Sequence, residues 1–64
     1  MERTIDTKYG EVTVRNAMFD IDGTTLEEGI EIKNEDVGLI EIHGRYDIDE
    51  LTQSDVEQLI AENF

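Results

Sequence analysis

Apolar and polar residues alternate along most of this chain, and the phase of the alternation changes once. Val12 and Val14 alternate with Glu11, Thr13 and Arg15, which predicts a strand buried on one face. Ile5 marks a shorter strand before it, and "KYG" supplies the reversal, with Gly10 free to take positive φ. Further on, Phe19 and Ile21 alternate with Asp20 and Asp22, but on odd positions where the valines are even. A continuous strand cannot hold both pairs on one side. The pattern therefore predicts a bulge or bend near Asn16-Ala17, with Phe19 in the core.

Asp22-Gly23 follows, flanked by apolar-alternating runs, a short-range hairpin signal. The next strand places Leu26, Ile30 and Ile32 on one face and Glu27, Glu31 and Lys33 on the other. "KNED" predicts another polar turn. In "VGLIEIHG" Ile40 and Ile42 point inward, and Leu39, Glu41 and His43 outward. Glu31 and Glu41 are then expected on the same exposed face of neighbouring strands, an unfavourable like-charge arrangement. "RYDIDEL" is open between a strand extension and an ordered loop, with Ile48 and Leu51 entering the core either way.

The last element is a helix. Thr52 is an N-cap with Asp55 three residues on, which approximates a capping box, and Leu51 and Val56 are spaced as a hydrophobic staple. Val56, Leu59 and Ile60 form an apolar stripe at helical spacing, and Phe64 extends it as a further core residue. These elements predict an α+β fold: a small antiparallel sheet of three to five strands, with one C-terminal helix packed on one face. The other face is then exposed and acidic, or buried in a homodimer.

Length limits what such a fold can bury. With 64 residues the expectation is one small domain over residues 1-64, with a marginal core and no cysteine to reinforce it. Charge changes the picture more. Seventeen Asp and Glu face five Lys and Arg, a net charge of -12. That sign opposes direct binding to nucleic acid or to anionic membranes, and it attracts basic partners. Plain solubility and a high-salt cytoplasm are competing explanations. The second fits poorly with eight Ile against two Ala, whereas the presence of only two lysines favours a surface shaped for a basic partner. "MERTIDTKYG" contains no apolar run, so the expected location is cytoplasmic.

Two stretches invite a chemical reading. "FDIDGTT", Phe19 to Thr25, resembles the first motif of haloacid dehalogenase-type phosphatases. That resemblance implies Asp20 as nucleophile and Asp22 as acid/base, with Mg²⁺ bridging to phosphate. The chemistry also needs a parallel α/β sheet, a lysine and distant metal ligands, and the residues after Asp22 read as antiparallel strands and one helix. Asp20, Asp22, Thr24 and Glu31 also match positions of a twelve-residue calcium loop, but Thr25 stands where that loop needs Gly. His43, the only histidine, has acidic neighbours and is expected at the surface. Tyr9 and Tyr46 are candidate interface anchors or partly packed residues. No catalytic residue, metal site or cofactor is expected.

The functional expectation is a non-enzymatic protein-binding module for a basic, nucleic-acid-binding partner. Its sharper form is an inhibitor whose carboxylates mimic nucleic-acid charge, in the manner of small acidic proteins of phages and mobile elements. The expected contact residues are Glu27, Glu28, Glu31, Glu35, Asp36, Glu41, Asp47, Asp49 and Glu50. The alternative is a small structural or assembly subunit, possible as a homodimer, whose acidity serves only solubility.

Overall fold

The computed structural model describes residues 2–63. Four strands, β1 (Glu2–Thr7), β2 (Gly10–Asp20), β3 (Leu26–Asn34) and β4 (Gly38–His43), form an antiparallel meander in the order β1-β2-β3-β4. A 3₁₀ turn (Ile48–Glu50) leads into the helix α1 (Gln53–Asn63). The architecture is α+β, with the helix on one face of the sheet.

The turns form where the backbone requires glycine. Gly10 takes φ 101° after the two-residue Lys8-Tyr9 connection, and Gly23 takes φ 89° at the tip of the β2–β3 hairpin. Neither conformation suits a side chain with a Cβ. "KNED" turns as expected: the Asn34 side chain accepts from the Asp36 and Val37 amides, and its amide group donates to the Tyr9 and Glu11 carbonyls across the sheet.

One side of the sheet carries the core. Ile5, Val12, Val14, Ile30, Ile32, Ile40 and Ile42 point to it and meet Ile48, Leu51, Val56 and Ile60 from the C-terminal segment. The helix packs against β1 and β4. Its start is the expected capping box: Thr52 Oγ1 accepts from the Asp55 amide at 3.1 Å, and the Thr52 amide donates to Asp55 Oδ2 at 3.0 Å. Tyr9, Tyr46 and Leu59 pack partly buried at the margin. Phe64, expected to continue the stripe, lies outside the described residues.

"RYDIDEL" proves to be an ordered loop. The Asp47 side chain caps the 3₁₀ turn by accepting from the Asp49 amide. Arg3 holds the segment to β1 by donating to the carbonyls of Ile48 at 2.9 Å and Leu51 at 2.8 Å.

The expected bulge is absent. β2 pairs with β3 in one unbroken register from Thr13–Lys33 to Asp20–Leu26. Phe19 is therefore not a core residue: it lies on the face opposite the helix. It rests over Gly29, filling the space where a Cβ at that glycine would stand, and its ring stacks on His43 with centroids 4.6 Å apart. The phase change in the sequence reflects a change in which face is covered, with no break in the pairing register.

Candidate interaction surface

Each expected contact residue can be placed by register. Glu27, Glu31 and Glu41 lie on the helix-free face, where Glu31 stands directly opposite Glu41. Glu31 also stands opposite Arg15, and their side chains form an ion pair at 2.9 Å. Glu31 is consequently only 16% exposed, so the like-charge pair is relieved by a third strand. Glu28 points to the helix side of the sheet and pairs with Arg45 at 3.1 Å. Glu27 lies 3.4 Å from His43 Nδ1.

The rest of the set is elsewhere. Glu35 and Asp36 belong to the β3–β4 turn. Asp47, Asp49 and Glu50 belong to the cap and body of the 3₁₀ turn, in the segment that Arg3 fastens. The nine residues thus occupy four places, the two faces of the sheet, the turn and the 3₁₀ segment, and Arg15 and Lys33 interrupt the helix-free face beside Glu31 and Leu39. A shallow concavity on that face is lined by both cations together with Glu2, Thr13, Glu31 and Leu39.

Asp20 and Asp22 do turn work. Asp20 accepts from the Gly23 amide at 2.6 Å. Asp22 Oδ1 accepts from the Thr24 amide at 2.9 Å and the Thr25 amide at 2.7 Å, and both threonine hydroxyls donate to the same carboxylate. These bonds, the Thr24 amide foremost, hold the Asp22 carboxyl below its ordinary pKa. Gly23 joins two antiparallel strands and opens no helix, so the parallel α/β setting of the phosphatase motif is not built here. Among the described residues no cluster of three His, Cys, Asp or Glu is arranged to hold a metal ion.

A feature that sequence reasoning missed lies at the end of the β2–β3 hairpin. β1, as described, reaches only to Arg15, and β4 reaches only to Gly29, with one further bond from the Gly44 amide to the Glu28 carbonyl. Beyond these points the hairpin runs on as a two-stranded arm, Ala17–Asp20 and Leu26–Glu28. Met18 and Leu26 share the parity of the core residues, yet they are 56% and 62% exposed, and Ile21 in the turn is 55% exposed. The signal for the arm was a count. β2 spans eleven residues and β3 nine, against six for each outer strand.

No helix among the described residues is long and apolar enough to cross a membrane. Comparison with known proteins adds no relative: no family model matches the chain, and neither a curated protein nor a solved structure does.

Proposed function

We propose that this chain is a non-enzymatic protein-binding module that engages a basic partner, and that it inhibits that partner by occupying its phosphate-binding surface. One observation carries the reading: of seventeen carboxylates, only Glu28 and Glu31 form ion pairs with an arginine among the described residues, and Glu27 lies beside His43. The others hold their charge at the surface, where it steers a positively charged partner and accelerates encounter. The non-enzymatic part rests on the two aspartates that most resemble catalytic ones, whose oxygens bind turn amides.

The test is capture on the immobilised protein, followed by competition. A partner held through its phosphate-binding surface is released by double-stranded DNA or RNA and by raising NaCl from about 0.05 to 0.5 M, because each charge contact weakens with salt. Partners that stay bound through both treatments are held by apolar contact, and that outcome replaces the inhibitor with an assembly subunit.

A further inference from the structure

We infer that the arm of the β2–β3 hairpin is the docking element, and that its occupant is an extended basic and apolar segment of a partner protein, added as a strand along Ala17–Asp20. This rests on the acidic-module reading and names the place and chemistry of its contact. Three independent features coincide on the arm.

The first is an open backbone edge. The Ile21 amide donates to the Thr25 carbonyl at 3.0 Å, so Ile21 and Thr25 are a hydrogen-bonded pair. Antiparallel pairing alternates, which makes Phe19–Glu27 and Ala17–Gly29 the bonded pairs down the ladder. Met18 and Asp20 then turn their N–H and C=O groups away from β3, along an edge with which no described residue pairs. A strand added there receives two donors and two acceptors, as in recognition by strand addition. The four residues span about 13 Å at ~3.3 Å each.

The second feature is apolar surface. Met18, Ile21 and Leu26 are three of the four large hydrophobics that are exposed among the described residues. Exposed apolar side chains clustered beside an open edge are a liability that folded proteins ordinarily blunt with charge or cover.

The third feature selects the occupant. Between Arg15 and Lys33 the chain contains no Lys, Arg or His. Glu28 and Glu31 pair with Arg45 and Arg15 and Glu27 lies beside His43, which leaves Asp20 and Asp22 as the carboxylates of this stretch without a cationic neighbour among the described residues. A second copy would bring an equally acidic arm, whereas a basic segment brings the complement. Met18 and Asp20 lie on the same face of the edge with Phe19 between them on the other. The matching segment therefore places an apolar residue beside Met18 and a Lys or Arg two residues on, beside Asp20, with an apolar residue between them near Phe19.

The experiment uses the whole chain labelled with ¹⁵N and two probes: a blocked nine-residue lysine–valine peptide repeating Val-Val-Lys, and hexalysine. Amide exchange and chemical shifts are read for wild type and for Met18→Pro. That substitution deletes an outward N–H and leaves the Phe19–Glu27 and Ala17–Gly29 bonds in place. The lysine–valine peptide is expected to protect the Met18 and Asp20 amides, to bind at least tenfold more tightly than hexalysine, and to lose at least tenfold in affinity with Met18→Pro. If circular dichroism shows that variant unfolded, Asp20→Lys carries the same expectation. Equal binding to the variant, with shifts spread over every acidic region, overturns the arm and leaves the acidic-module reading standing. No binding of either peptide overturns both. Concentration-dependent protection of Met18 and Asp20 without peptide makes a second copy the occupant, and overturns the inference by that route.

Discussion

Leu26 and Ile30 lie four residues apart on β3 and point to the same side of the sheet. Ile30 is fully buried, and Leu26 is the most exposed large apolar residue among those described. The same contrast separates Val14 from Met18 on β2. Alternation decides which side of a sheet a residue faces; whether anything lies beneath it is decided by a distant element. Here that element is α1, which packs against the outer strands β1 and β4 and spans the body of the sheet. The arm lies beyond it. In the body, apolar side chains contribute stability. On the arm, the same residue types are left available for contact.

The largest test of this contrast is truncation at matched positions. Ile30→Ala removes a fully buried side chain and is expected to cost ~2–5 kcal/mol, counting the cavity it leaves. Total stability for a chain of this length is about 3–10 kcal/mol at usual per-residue values, so the variant stands near unfolding. Leu26→Ala and Met18→Ala are expected to change stability by no more than about 0.5 kcal/mol. Urea titration of the three variants measures this. Comparable losses at Leu26 and Ile30 would mean that the arm is packed as tightly as the body.

Gly29 stands where the two regions join, and it gives the next largest effect. A Cβ there meets the Phe19 ring on one side and the Ile42 carbonyl on the other. Gly29→Ala is expected to destabilise by ~1–3 kcal/mol through overpacking. Phe19→Ala in the same chain should recover only part of the loss, since a side chain can be removed and the Ile42 carbonyl cannot. Full recovery would show that the ring alone sets the limit. No recovery would show that the backbone does.

The body was far more legible in the sequence than the arm. The glycine turns, the inward Ile40 and Ile42, and the Thr52–Asp55 box all depend on neighbours within a few residues, and each forms as its local pattern predicts. The phase of Phe19 misleads because, measured against the valines, it points to the core only if one face is the core along all of β2. The relief of Glu31 by Arg15 and the fastening of the 3₁₀ turn by Arg3 join residues 16 and 45 or more positions apart. Strand register creates the first contact and the packing of the C-terminal segment beside β1 the second, and neither is written in either partner's vicinity. The candidate surface was legible only as composition, because the count of carboxylates is local and their division among the two faces, the turn and the loop is not.

The finest test uses acid to separate the two regions. Asp22 on the arm and Glu57 on the helix are both held below their ordinary values of 3.8 and 4.5. Asp22 is lowered first by the Thr24 amide, and Glu57 first by the Lys8 amide, which donates to it at 2.6 Å. A carboxyl with a depressed folded-state pKa contributes stability above its unfolded pKa and loses it as pH falls through the folded value. Both contributions should therefore be complete at pH 6 and decline below about pH 4.5. Their readouts differ because the bonds span different parts of the molecule. Glu57 joins the β1–β2 turn to α1, two elements of one cooperative core, so Glu57→Gln should lower the thermal midpoint at pH 6 and have progressively less effect as pH falls through the folded value, where the wild type loses the same contact. Asp22 organises only the tip of the arm. Asp22→Asn should leave the midpoint nearly unchanged at every pH, while the Thr24 and Thr25 amides exchange faster at pH 6. Thermal scans at pH 6 and pH 3, paired with residue-level exchange, separate the two. A midpoint that falls as far for Asp22→Asn as for Glu57→Gln would make arm and body a single cooperative unit, and the distinction between them would be one of exposure alone.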